Sequence, residues 1–130
     1  VPKRNLFGIA FITWMVFITV LSLVSFDDDT SLDLEIPYFD KIVHFTFYFI
    51  AAVLGGLFLL SSKQKVKANK QLFLKFLFGL IGYGIIIEVF QGSFTTYRSA
   101  ELLDILANSV GAIIGILLIR VVYRKGAVAN

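Results

Sequence analysis

Asp40, His44 and Tyr48 fall four residues apart in the stretch DKIVHFTFY, and Asp104 and Asn108 repeat that spacing in ELLDILANS. On a helix, residues four apart share a face. Glu88 and Gln91 lie three apart in EVFQ, with Gly84 one turn before Glu88 on the same face. His44 is the only histidine of the chain. With Asp40 one turn away and Glu88 or Asp104 on other segments, it has the parts of a general acid/base pair. It can equally be a hydrogen-bonded packing residue. Two positive groups accompany this set. Arg98, in the loop GSFTTYRSA, carries a guanidinium suited to bidentate binding of phosphate or carboxylate, or to pairing with Glu88 or Asp104. Lys41 can hold an anion or snorkel toward the interface. The candidate site is therefore Asp40, Lys41, His44, Tyr48, Glu88, Gln91, Arg98, Asp104 and Asn108, and its candidate catalytic groups are His44, Glu88 and Asp104.

Other chemistries find less support. Ser99, Thr95 and Thr96 are available hydroxyls, but none sits in an elbow or triad spacing. His44, Glu88 and Asp104 are donor types that bind divalent ions, yet no HExxH or other dense ligand spacing accompanies them. No metal and no cofactor is expected. The acidic stretch FDDDTSLDLE lacks the glycine and terminal glutamate of an EF-hand loop and reads as a solvated loop. There are no cysteines, which excludes disulfides, thiol catalysis and cysteine metal sites.

The elements that must position these groups are membrane spans. Of 130 residues 58% are hydrophobic and only 16% charged, with a mean hydropathy of +0.85, where a soluble domain carries about a quarter charged residues. Crossing the hydrocarbon takes roughly 20 apolar residues, and four stretches qualify: 6–26, 42–60, 72–91 and 103–123. Span one follows Lys3 and Arg4, as a signal peptide would. Its apolar run exceeds the roughly 7–15 residues of a signal core and no A-x-A site follows, so it reads as a retained helix. The expected fold is all-α, a four-helix transmembrane bundle forming one membrane domain over residues 1–130.

Charge sets the expected direction. Ten of the twelve basic residues fall beside the first span's start, between or just inside spans two and three, or at and after the end of span four, leaving only Lys41 and Arg98 on the other side. All nine acidic residues lie on that other side. The positive-inside rule then places both termini in the cytoplasm. The net charge of +3 is the difference of two segregated faces and implies no nucleic-acid partner. The basic loop between spans two and three sets topology and can also attract anionic headgroups.

Spans two, three and four share one plan: polar residues near the outer end and small residues deeper, such as Ala51, Ala52 and Gly55, Gly84, and Gly111 with Gly115. Small residues allow close helix approach, and intramembrane polar groups face a bundle interior or a wet cavity. The candidate residues thus converge on a shallow, outward-facing pocket. A purely structural role is the competing reading. An interhelical polar contact contributes about 0.6 kcal/mol on average, whereas a charge at mid-membrane costs about 2.5–3.5 kcal/mol, so carboxylates make poor staples. Asp40-x-x-x-His44 and Asp104-x-x-x-Asn108 also echo one another, with too few matching positions to establish a repeat.

In combination, DKIVHFTFY, EVFQ, Arg98 and ELLDILANSVGAIIG, over roughly residues 38–118, resemble the VanZ-like family of small bacterial membrane proteins. The family is named for an accessory protein that lowers susceptibility to the glycopeptide antibiotic teicoplanin. The resemblance carries Asp40, Lys41, His44, Glu88, Gln91, Arg98, Asp104 and Asn108 as shared positions. It implies a bacterial cytoplasmic membrane, a multi-pass chain and a loose link to the cell envelope, but no reaction, and a glycopeptide antibiotic response does not carry over to this chain by resemblance alone. Tyr97 precedes the loop arginine, where family members often carry Pro or Gly. The leading expectation is recognition of an anionic lipid or cell-wall precursor. The alternatives are a membrane enzyme of phosphoryl or acyl transfer using the same pocket, and a non-catalytic subunit of an envelope complex. Expected partners are the bilayer, that ligand, and a membrane protein or a second copy of the chain.

Overall fold

In the computed structural model, residues 1–24, 38–61, 70–94 and 102–129 are described, with the backbone alone for 94 and 124–129. They form four helices: α1 Lys3–Leu23, α2 Phe39–Leu60, α3 Lys70–Phe94 and α4 Leu102–Ala129. All four are long and apolar enough to cross a membrane. The expected spans are recovered with shifted edges. Pro2 caps α1, and Val24 is already extended, so α1 begins and ends a few residues before the expected span. A proline at a helix start sacrifices no hydrogen bond and presets φ. At its other end α4 continues past Tyr123 to Ala129.

The packing is inverted relative to a soluble bundle. Ile9, Ile12 and Val16 of α1, Ile86 of α3, and Leu117 and Val122 of α4 are exposed, as expected where lipid is the solvent. The buried core is a narrow column of Ile18, Tyr48, Ala51, Ala52, Phe73, Leu80, Ala112 and Ile116. Small residues dominate it where α2 and α4 meet, and these two helices share the most extensive contact in the fold. Gly111 lies directly on the Phe45 carbonyl, and a Cβ built on Gly115 would stand 2.8 Å from Ala52 Cβ and from the Phe49 carbonyl oxygen. Further along, Gly56 faces Ile119. Residue numbers rise together on both helices, so α2 and α4 run parallel, backbone against backbone. Close approach through glycine gains dispersion contacts, which drive helix association where lipid removes the hydrophobic difference.

Helices α1 and α3 flank this seam. Phe76 of α3 covers Gly55. Trp14 of α1 donates its indole N–H to the Phe47 carbonyl of α2 at 2.8 Å and packs edge-on against the Phe47 ring. Thr19 and Tyr83 hydrogen-bond through their hydroxyls, linking α1 to α3. Charge divides between the two ends of the bundle. Arg4 stacks over Phe58 and Arg120 over Phe73 at one end, while Asp40, Lys41, Glu88 and Asp104 gather at the other.

Candidate functional site

The polar end is assembled from the first turns of α2 and α4 and the last turns of α3 and α1. Two apolar grooves among the described residues lie elsewhere, one of about 370 Å³ between Phe11, Met15, Val16, Val20 and Tyr83 and one between Phe7, Leu57 and Ile119. Neither contains a member of the polar cluster.

At the rim, Lys41 Nζ lies 2.6 Å from Asp40 Oδ2 and 2.6 Å from Asp104 Oδ1, bridging α2 to α4. Asp40 itself is mostly exposed; the shared face with His44 places it above the cluster rather than in it. One turn deeper, His44 Nδ1 lies 3.0 Å from Asn108 Oδ1 and 3.6 Å from Glu88 Oε1, and His44 Nε2 lies 3.5 Å from Asp104 Oδ2. Glu88 is fully buried and Asn108 is 2% exposed. The imidazole thus stands among groups from two other helices. Asn108 Oδ1 is an acceptor, so Nδ1 carries the hydrogen, which leaves Nε2 as the basic nitrogen toward Asp104. An imidazole so placed can take and return a proton.

Tyr48 is buried beneath this layer. It packs against Gly84, where a Cβ would come within 3.2 Å of Asn108 Nδ2 and 3.3 Å of Tyr48 Cε1. Gly84 therefore lets α3 bring Glu88 up to the α2–α4 seam. Gln91 is buried, but one of its bonds is a brace: Nε2 donates to the Ser22 carbonyl of α1 at 2.7 Å. Of the sequence-derived set, His44, Tyr48, Glu88, Gln91, Asp104 and Asn108 are buried together, Lys41 spans their rim and Asp40 is outside. Arg98 lies outside the described residues.

Span one contributes more than its apolar sequence indicates. Ser22, absent from the candidate set, is buried, and its main-chain carbonyl receives Gln91. The available signal was a small polar residue one turn after Thr19, at the end of a mostly apolar helix. Because the contact uses the Ser22 backbone, Ser22→Ala is expected to leave stability within error, while Gln91→Met lowers it by about 0.6–1.7 kcal/mol, the range for intramembrane hydrogen bonds. Reversible unfolding in mixed micelles separates the two. Equal losses would place the contact on the serine side chain instead.

A metal was not expected from the spacing, because no two of the donors stand on one helix. The fold nevertheless brings one donor atom each from His44, Glu88 and Asp104 within 4.8 Å of one another, all three residues buried. The set joins one imidazole nitrogen to two carboxylates.

Comparison with known proteins follows the same outline. A family model described as VanZ/LLP1 matches residues 4–123. That match takes in α1, which the resemblance over residues 38–118 had left out. No curated protein and no solved structure gives a match.

Proposed function

The chain belongs to the VanZ/LLP1 family and is a multi-pass membrane protein, and from that premise we propose that it recognises a phosphate-bearing, lipid-linked or cell-wall component at the outer leaflet of the bacterial cytoplasmic membrane. The observation that supports this reading is the burial of His44, Glu88, Asp104 and Asn108 together, drawn from three helices at one end of the bundle. Burying ionisable groups in a membrane costs more than their contacts return, so a role beyond helix pairing is the economical explanation. Lys41 at the rim, and Arg98 on sequence grounds, meet the anion; His44, Asn108, Glu88 and Gln91 shape the floor.

Native mass spectrometry of the protein released gently from its own membrane tests the reading. A discrete phosphate-bearing lipid is expected on the wild type and is expected to be lost from Arg98→Ala and Asp104→Asn at unchanged helicity. Retention of that lipid by Arg98→Ala would sink the proposal. A protein partner retained in place of lipid would favour the structural-subunit reading.

A second reading draws on the placement of His44. Its Nε2 faces Asp104 while Nδ1 is held by Asn108, the arrangement of an oriented general base. On that reading the same site performs phosphoryl or acyl transfer. Glu88→Gln then abolishes turnover of the retained lipid without loss of fold.

A further inference from the structure

We propose that His44, Glu88 and Asp104 bind one divalent ion of the zinc type. Each donor comes from a different helix, and the three donor atoms lie within 4.8 Å of one another. Donors at about 2.0–2.2 Å around one tetrahedral ion stand roughly 3.3–3.6 Å apart. Side-chain adjustment of up to about 1.5 Å therefore closes the site. His44 Nε2 and Asp104 Oδ2, at 3.5 Å, already have a spacing that one ion can span.

The surroundings of the imidazole match those of a metal ligand. A metal-bound histidine characteristically donates its second ring N–H to a carbonyl or carboxylate, which fixes the ring and its tautomer. His44 Nδ1 meets Asn108 Oδ1 at 3.0 Å and lies 3.6 Å from Glu88 Oε1, so the neutral ring offers Nε2, 3.5 Å from Asp104 Oδ2, and Glu88 swings from the Nδ1 edge toward it to complete the set. Asn108 adds a separate observation. It is 2% exposed, and its Nδ2 has no hydrogen-bond partner among the described residues. A buried amide donor left over beside the cluster, on the Gly84 side, is suited to a metal-bound water or a ligand oxygen.

The donor chemistry narrows the ion. Calcium and magnesium take oxygen ligands, whereas imidazole with carboxylate suits zinc and its transition-metal neighbours. Three protein donors leave a coordination position for water or a substrate oxygen. If the proposed ligand is a phosphate, this position lets the ion hold it where Lys41 is already engaged; that extension rests on the proposed function, whereas the ion site does not.

The test uses the full chain in detergent, stripped with a chelator and titrated with zinc chloride by calorimetry. One ion per chain is expected, raising the unfolding midpoint. His44→Phe, Glu88→Gln and Asp104→Asn abolish the uptake, and Asn108→Ala weakens it by roughly 10–100-fold, as loss of a ligand-orienting contact does. The lipid-facing Thr46→Val leaves it unchanged. Because the ligand variants can unfold, zinc-edge X-ray absorption on the wild type supplies the second readout: a single imidazole among oxygen donors is expected. Absence of zinc uptake by the folded wild type, or a bound ion without imidazole, overturns the proposal. Uptake of zinc with no phosphate-bearing lipid retained would confirm the ion site and refute the ligand reading, so the two fail separately.

Discussion

Replacing Gly111 with isoleucine is expected to part α2 from α4 and leave little folded protein. At this position even a β-carbon falls on the Phe45 carbonyl oxygen. Backbone cannot rotate aside as a flexible side chain can, so the helices themselves must separate. Overpacking a tight core costs about 1–3 kcal/mol and sometimes more; Gly111→Ala should lie in that range and Gly111→Ile beyond it. Gly79 and Gly82 provide the contrast, because a Cβ at either meets nothing within 4 Å. Alanine there should stabilise α3 by up to about 1 kcal/mol through helix propensity alone. Trp14 is the only tryptophan and packs on Phe47 of α2, so its fluorescence reports unfolding in mixed micelles. Near-equal behaviour of Gly111→Ala and Gly79→Ala would refute the close seam.

Removing Lys41 is expected to have the next largest effect. The lysine side chain is 17% exposed and Asp104 10% exposed, so their contact is largely shielded from water. Breaking a buried pair by deleting one partner costs about 3–5 kcal/mol, because the remaining charge has lost its compensation. At the rim of the bundle Lys41→Met should fall near the lower end of that range. Deleting both charges in Lys41→Met/Asp104→Leu should recover most of the loss, since apolar replacements of buried pairs are often neutral or better. The cycle is run in chelated buffer, so that no ion at Asp104 contributes. A coupling energy of about 0.5–3 kcal/mol is expected for residues in contact. A value near zero would show that Lys41 turns outward in the membrane, away from Asp104.

Much of the fold is written plainly in the chain because lipid imposes a simple rule. Only helices and closed barrels satisfy their backbone in hydrocarbon, and continuous apolar runs of about 20 residues fit the helix, so the existence of each span, though not its last turn, follows from hydropathy. The same rule made His44, Glu88, Asp104 and Asn108 conspicuous as polar residues that must turn inward. What hydropathy does not encode is which inward group meets which. Asp40 shares the helical face of His44, yet lies outside the buried layer because it is a full turn closer to the surface. Gln91 is buried on the expected face, and its bond to the Ser22 carbonyl depends on the angle of α1, which its own sequence does not carry. The grouping of His44 with Glu88 and Asp104 depends on the register of three helices. Motifs that reveal metal sites place several ligands on one element, and here each helix supplies one.

The parallel seam between α2 and α4 also bears on how the protein is made. Its two halves are separated in the chain by α3, so they cannot meet as a hairpin while synthesis proceeds. A nascent chain that has inserted only α1, α2 and α3 lacks Asp104 and Asn108, the partners of Lys41 and His44. During that interval these groups face lipid, water at the interface, or a helper protein. Arrival of the last span would then act as a latch: it completes the polar cluster and the tightest helix contact in one event.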